Sequence, residues 1–598
     1  MKSTSPIPRR IQLAVALVIS VASTSLATDF HLNVASGDWN TPASWLENAV
    51  PGGGGGNFAF VNNGGTVAIT ANIPGIQDPF IGSGGGTSGT VNHSAGVASN
   101  VGWTFIGEQG GTGTYNLTGA GNTLGSGSLS TGRIYVGGRR GVTAGGNGTL
   151  RVNTTGTVTA ASDFSVGARG GTGSVTVTAG TLNANSWMII GESDGGIGGG
   201  TGTMVQDGGN VTAGATDGNA RFWIGSNEGG AASVSNGSYT INGGNFTARN
   251  AIIGKNYTGT FNQNGGNVTL NNTVNDATDH KLGEAAGSTG NYNLTNGTLT
   301  VNHNFQIGSG GTGNFTQTGG IVNANNGFQV VGRYAGSNGF MTVSAGSFNQ
   351  LNAGTKLLVG EEGAGTLNVS GSGAVNVTNG MTLGFAAGGS GIVMQTGGTV
   401  AVANVLDIQG GGTGSYTLDG GTLSVNGGID AATGTFTFTG GVLTRSSAGT
   451  INYTGTLTVG QNDATLKLDN DKLFAISGNF NITTGVTFDV TGDTLPGIIV
   501  GVQTGSIPLG TDGSITGTFD PISTFIAGLG NPAAATFISE TNGETTNFDP
   551  YTQSVYWVQE NAGTVSLNYS ILPEPSALLS LVGGFAMLVG FQRSRRRA

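Results

Sequence analysis

A short pattern that recurs through most of the chain constrains its fold more than any other feature. One copy begins at Phe305, reaches a glycine at Gly308, turns again at Gly319–Gly320 and ends at Asn323. Each copy carries a marker, which is two or three apolar positions followed by glycine. The markers end at Gly107, Gly137, Gly167, Gly191, Gly225, Gly254, Gly283, Gly308, Gly332, Gly360, Gly384 and, less regularly, Gln409–Gly410. A period of roughly 24 to 34 residues is typical of stacked repeats.

Each copy predicts three short strands with glycine turns between them. In the copy at 413–425, Tyr416 and Leu418 alternate with Ser415 and Thr417, which is the period of a strand with one buried side. Glycine at the corners allows the positive φ that a sharp turn requires. We therefore predict an all-β fold, a parallel β-helix (β-solenoid) of about a dozen coils over residues 100–445. A β-sandwich would not require the same strand triplet at a fixed period.

The composition fits this architecture and excludes several functions. Glycine contributes 116 residues and charged residues only 9% of the chain, but regular Val, Ile, Leu and Phe can bury a core, which excludes disorder. The net charge is −10 without a basic stripe between the termini, so nucleic acid is not an expected partner. The absence of cysteine excludes disulfides and thiolate chemistry.

Two segments flank the predicted repeats. Residues 28–99 are expected to form an N-terminal β cap, because an open solenoid end would expose strand edges and core. Trp39 and Trp45 lie in this segment, and the alternative is that they are exposed and hold a sugar ring. Residues 446–570 are expected to form a β-rich C-terminal cap that ends in a hairpin, with Tyr556–Val558 facing Val565–Tyr569.

Residues 1–27 have the pattern of a secretory signal peptide. Lys2, Arg9 and Arg10 precede an apolar stretch, and the small residues before Ala27 predict cleavage between Ala27 and Thr28. A short membrane anchor is the alternative.

The last segment, 571–598, has three parts in a fixed order. Pro573, Glu574, Pro575 and Ser576 come first, and the terminal arginines Arg593, Arg595, Arg596 and Arg597 come last. An apolar run lies between them, and its membrane-anchoring residues are Ala577, Leu578, Leu579, Leu581, Val582, Phe585, Met587, Leu588 and Val589. This order predicts a short membrane helix with the arginines on the cytoplasmic side.

The same order resembles the PEP-CTERM sorting signal of Gram-negative envelope proteins, a tail that is also described as an ice-binding protein C-terminal domain. The resemblance covers residues 573–598 only. It implies recognition by an exosortase, cleavage near the motif and transfer to the cell surface, often alongside exopolysaccharide. A plain tail anchor is the alternative.

The sequence predicts no catalytic, cofactor or metal site. Glycoside hydrolysis requires two carboxylates about 5–9.5 Å apart, whereas the carboxylates here are scattered. Asp463, Asp469 and Asp471 are the densest group, but they lack the glycine and distal glutamate of an EF-hand. The four histidines have no metal-binding spacing, and they are His31, His93, His280 and His303.

The residue after the marker glycine is often charged. We interpret this column as solvated turns, and the alternative is pairing between coils. Its members are Glu108, Arg169, Glu192, Lys255, Glu284, Arg333 and Glu361.

These features predict an exported, envelope-sorted structural or adhesive protein of the cell surface or extracellular matrix, non-catalytic and associated with exopolysaccharide. Its expected partners are the export machinery, an exosortase-type enzyme and, transiently, the inner membrane. Two alternatives are a polysaccharide-degrading β-helix enzyme and an ice-binding solenoid, the latter from runs such as Thr157–Thr159 and Thr176–Thr178.

Overall fold

The chain folds as an all-β parallel solenoid of about 15 coils, each coil being one circuit of the chain around the core. The computed structural model describes residues 27–467, except 143, 194–197, 215–219, 228–233, 272–278, 409, 447–448 and 455–456, and beyond 467 the backbone of separate strands. The predicted solenoid is confirmed. The predicted signal and membrane helices lie outside the described residues, and no helix within the described part has the length and apolar character of a membrane span.

The first face of the solenoid carries the marker strands, which form one 22-stranded sheet with the terminal strands. Its strands are Asp29–His31, Gly54–Val61, Ile76–Ser83, Trp103–Glu108, Arg133–Val136, Phe164–Ala168, Trp187–Ser193, Arg221–Asn227, Ala251–Ile253, His280–Leu282, Phe305–Ile307, Gln329–Val331, Leu357–Val359, Met381–Leu383, Val405–Asp407, Gly428–Asp430, Gly449–Thr454, Lys472–Ile476, Gln503–Thr511, Thr536–Ile538, Val555–Asn561 and Thr564–Ile571.

The second and third faces belong to one 27-stranded sheet, because some strands run through the bend between them. The second face holds Ser36–Asp38, Asn63–Ile69, Ser88–His93, Thr112–Thr118, Thr201–Gln206, Asn236–Ile241, Thr258–Gln263, Thr289–Leu294, Ala364–Val369, Asn479–Ile482 and Ser514–Gly517. The third holds Val97–Ser99, Ser128–Thr131, Asn210–Ala213, Asn245–Arg249, Asn267–Asn271, Thr298–Val301, Ala374–Val377 and Val486–Asp489. Continuous strands are Asn147–Ala160, Thr172–Ala184, Thr312–Ala324, Asn338–Gln350, Ser390–Val402, Thr413–Val425, Thr435–Thr444 and Leu457–Lys467. Two short 3-10 helices occur at Pro42–Ser44 and Ala120–Asn122.

The core is a column of inward side chains that pack on their counterparts one coil away. In the copy at 413–425, Tyr416 and Leu418 are fully buried while Ser415 and Thr417 face outward, as predicted. Buried rings stack along the axis, with Phe261 lying 5.0 Å from Tyr239 and 4.9 Å from Tyr292 between centroids. Every marker glycine from Gly107 to Gly384 has φ between +61° and +79°, so the corner prediction is also confirmed.

The N-terminal end of the core is closed by its own chain. Trp39 and Trp45 are 2% and 1% exposed and meet edge to face, with centroids 5.0 Å apart. The chain then folds back on the edge strand, where the Leu46 amide donates to the His31 carbonyl at 2.8 Å. This antiparallel pairing covers the strand edge. The alternative that these tryptophans are exposed to hold a sugar is wrong, because both rings lie inside the core.

The array is longer than the dozen coils counted from glycine markers. Its first strands, from Asp29 to Ser83, pair in parallel with those that follow. The coil at Ile76–Ser83 also carries the marker, which ends at Gly82 with φ +60°. Two other coils near the ends lack the marker glycine, since Asn62 follows Val61 in one and the strand of the other ends at Asp430. At the other end of the chain, Val555–Asn561 pairs antiparallel with Thr564–Ile571, which confirms the predicted terminal hairpin.

Candidate functional site

The predicted cleavage site lies at the start of the solenoid. Thr28 directly precedes the first strand, and its amide donates to Asn57 Oδ1 at 2.9 Å. Its carbonyl accepts from the Phe58 amide at 3.0 Å. Ala27 is exposed. The sorting motif at 573–576, the apolar run and the terminal arginines lie outside the described residues.

The outward side of the first face carries a ladder of aromatic rings. Along the axis, Phe60 lies between His31 and Phe80 with centroid distances of 5.0 and 4.9 Å, and the rings are within 11° of parallel. Phe105 and Tyr135 continue the ladder at 4.7 and 5.7 Å. Because the rings stack on one another, their faces are covered and mainly their edges point outward. The ladder therefore stabilises the coils but does not offer ring faces to a sugar.

The charged column beside this ladder is paired between coils. Glu108 is 1% exposed, with Oε2 lying 2.8 Å from Arg139 Nε and Oε1 accepting from Ser83 Oγ at 2.8 Å. The Arg139 guanidinium in turn lies 4.5 Å from the Phe105 centroid. Burial raises the pKa of Glu108, and Arg139 and Ser83 oppose that rise. The solvated-turn prediction is wrong here, because the corner folds over the ladder and removes the carboxylate from water.

The same arrangement recurs along the corner. Glu192, which is fully buried, lies 2.6 Å from Arg140 Nε and accepts from Ser165 Oγ at 3.1 Å. Lys255 and Lys281 lie 2.6 and 2.8 Å from the Glu284 carboxylate. Burial opposes ionisation of Glu284, but its hydrogen bonds from both lysines outweigh burial and lower its pKa. Arg333 pairs with Glu361 in the same way.

Midway along the first face, these cations lie over two tryptophans. We define the Arg–Trp patch as Arg140, Trp187, Arg221, Trp223 and Lys255. Arg221 lies 4.5 Å from the Trp187 centroid and 4.7 Å from that of Trp223. Arg140 lies 5.1 Å from Trp187, and Lys255 lies 4.2 Å from Trp223. The tryptophans are half-buried and 4% exposed, respectively, and Trp223 packs with Ile189 and Ile252 outside the main core.

Inside the solenoid, a tyrosine of one coil repeatedly hydrogen-bonds a buried glutamine of the preceding coil. Each hydroxyl donates to the glutamine Oε1 at 2.6 Å, and the glutamine amide donates to backbone carbonyls at the bend between the second and third faces. The pairs are Tyr239–Gln206, Tyr292–Gln263 and Tyr416–Gln395. Gln317 differs, because Met341 occupies the tyrosine position and Gln317 Oε1 is left without a donor.

Removing the hydroxyl in Tyr292→Phe should destabilise the fold by about 1–3 kcal/mol, because Gln263 Oε1 becomes a buried unsatisfied acceptor. The free energy of unfolding of the purified protein would be measured by urea denaturation. Met341→Tyr is the matched change in the opposite direction, since its hydroxyl would reach Gln317. Equal stability of Tyr292→Phe and the unchanged protein would contradict the assigned hydrogen bond.

The second and third faces are covered by amide and hydroxyl side chains rather than charges. The asparagines of three Asn-x-Thr triplets point outward, and their amides hydrogen-bond from coil to coil at 2.8–2.9 Å. These pairs are Asn116–Asn92, Asn293–Asn262 and Asn314–Asn291. Larger side chains interrupt the hydroxyl rows of the second face, namely Arg151, Phe340, Ile392 and Met394.

Asp78 and Glu108 lie on neighbouring coils of the first face. Burial raises the pKa of both groups, and the charge of Asp78 adds to the rise at Glu108, while Arg139 opposes the rise at both. Both carboxylates are already engaged, since Glu108 binds Arg139 and Ser83 and Asp78 accepts from the Trp103 amide. Among the described residues, no three His, Asp or Glu side chains form a possible metal site. The weak calcium motif at Asp463–Asp471 falls where side chains are not described.

A shallow depression of about 250 Å³ lies on the third face and is lined by asparagine, threonine, serine and aliphatic residues from Asn376 to Ser446, without a titratable side chain.

The fold and the site define the chain as a parallel β-solenoid with a basic, aromatic surface patch. No family model matches the chain, and neither a curated protein nor a solved structure is significantly similar to it.

Proposed function

We propose that this protein is exported and sorted to the cell envelope, where it acts as a structural or adhesive component of the surface or extracellular matrix, without catalysis and in association with exopolysaccharide. The observation that carries the proposal is the solenoid, whose first described strand, Asp29–His31, directly follows Thr28 at the predicted cleavage site. Its second and third faces present hydrogen-bonded amides and hydroxyls, which suit an extended scaffold in water. The tail at 573–598 would supply the sorting signal.

The two alternative functions have weaker support. A polysaccharide-degrading enzyme would need two carboxylates accessible to substrate, whereas Glu108 is 1% exposed and held by Arg139 and Ser83. An ice-binding face would need a regular hydroxyl array, which Phe340, Ile392 and Met394 interrupt. Many outward asparagines also use their amides for bonds within the solenoid.

Fractionation of the cells that make this protein, followed by intact-mass analysis, tests the proposal. We expect a mature chain that starts near Thr28, ends near Pro573–Ser576 and lies outside the inner membrane, because both processing signals act at these positions. Replacing Glu574 by glutamine should leave the N-terminal cleavage unchanged and trap the chain in the membrane. A wild-type chain that retains Arg593–Arg597 in the inner membrane would contradict sorting to the surface.

A further inference from the structure

The Arg–Trp patch holds cationic groups in fixed positions on the outside of the first face. Arg221 lies over two adjacent indole rings, at 4.5 and 4.7 Å from their centroids. Arg140 and Lys255 cover further indole surface. Because the cations lie over the ring faces, a ligand arriving from solvent would meet guanidinium and ammonium groups before the rings. Cation–π contacts of this kind restrict the side chains before any ligand binds.

Arg221 differs from the other cations of the patch in its charge balance. Arg140 is paired with Glu192, and Lys255 is paired with Glu284. Neither a hydrogen bond nor an ion pair connects Arg221 to any acidic side chain in the described part of the chain. A positioned guanidinium without a carboxylate is prepared to bind an anion through its parallel N–H donors.

The cationic surface extends along the solenoid axis. Arg140 follows the strand Arg133–Val136, and Lys255 follows Ala251–Ile253, four coils later. The charged ends converge on the two indole rings, so the Arg140 guanidinium and the Lys255 ammonium lie within about 15 Å of each other.

We infer that the Arg–Trp patch binds carboxylate groups of an acidic polysaccharide, with Arg221 as the main anchor. This inference rests on the proposed surface function, to which it adds a ligand class and a site. A polymer fits better than a single sugar acid, because the patch presents three cations and can contact more than one carboxylate. Planar carboxylates suit the forked guanidinium donors.

Affinity electrophoresis of the purified full-length protein tests the inference, with polygalacturonate in the gel and dextran as the uncharged comparison. We expect polygalacturonate to retard the protein and dextran not to do so. Arg221→Gln should weaken binding at least tenfold, because it removes the cation of the patch that has no acidic partner among the described residues. Arg151→Gln is the matched control, since Arg151 also faces outward, but on the second face, where it donates to Asn116 at 3.1 Å.

Three results would overturn the inference: no retardation by polygalacturonate, equal weakening by Arg221→Gln and Arg151→Gln, or equally tight binding of duplex DNA, which would indicate unspecific attraction of polyanions. Arg221→Lys provides a second variant if Arg221→Gln does not fold. It keeps the charge but loses the fork, so an intermediate affinity is expected, and unchanged affinity would exclude the forked contact. A chain found at the cell surface that does not bind polygalacturonate would refute this site alone and leave the proposed function standing.

Discussion

Gly313→Ala should destabilise the solenoid by more than about 4 kcal/mol, which is exceptional for the addition of one methyl group. Gly313 lies inside a second-face strand and its φ is not positive, so the reason is steric. A Cβ there would lie 2.0 Å from the Gly308 nitrogen, 2.7 Å from the Ile307 carbonyl carbon and 2.8 Å from the Leu282 oxygen. All three are backbone atoms that coils on either side hold by hydrogen bonds. The coil cannot accept the methyl group without separating from a neighbour.

Two other glycines separate this effect from backbone strain. Gly336 has φ +83° but no atom within 4 Å of a built Cβ, so Gly336→Ala should cost only about 1–2 kcal/mol. Gly85 has neither a positive φ nor a neighbour, and Gly85→Ala should change stability by less than about 0.5 kcal/mol. Urea unfolding and limited proteolysis would compare the three variants. If Gly313→Ala were as stable as Gly336→Ala, close backbone packing would not explain the glycine.

The requirement at Gly313 also explains why the fold could be predicted from the sequence. Glycine occupies this strand position in successive coils, as Gly290, Gly313 and Gly339 pair in register. The alternation of Tyr416 and Leu418 with hydroxyls identified the inward side chains. Both signals are local, so one sequence alone contains them.

The surface patch could not be predicted in this way, because its contacts are not local. Arg140 and Glu192 are 52 residues apart and meet only because two intervening circuits place them on one corner. Met188, Ile189 and Ile190 form a continuous apolar run, so the sequence does not reveal that Ile189 points away from the main core toward Trp223. The charged residues after the marker glycines are a sequence signal for this corner. They predict solvated turns, because an isolated charged residue in a turn is normally exposed to water.

Acid should destabilise the protein through a histidine that the fold buries in its neutral form. His280 is fully buried. Burial is the main cause that lowers its pKa from 6.5 to about 3, and nearby His303 is the second cause. Its Nδ1 accepts a hydrogen bond from the Ala251 amide at 3.2 Å, which protonation of Nδ1 would abolish. The charged and titratable neighbours are His303 and Asp279, which lie 3.5 Å apart.

The direction of the effect follows from the lowered pKa. The unfolded chain binds a proton at His280 below pH ~6.5, whereas the folded chain binds it only near pH 3. The free energy of unfolding is therefore unaffected by protonation of His280 above pH ~6.5, and it decreases by about 1.4 kcal/mol per pH unit as the pH falls from there toward 3. His93, whose pKa burial lowers to about 4, should add a similar loss over a narrower range.

Urea unfolding between pH 7 and pH 4 would measure this loss, and His280→Gln identifies the residue responsible. The variant should be less stable than the wild type at pH 7, because Gln does not reproduce the imidazole, but its stability should depend less steeply on pH. If the stability of His280→Gln fell with pH as steeply as that of the wild type, acid unfolding would have to start at other groups, and the buried neutral imidazole would not be its cause.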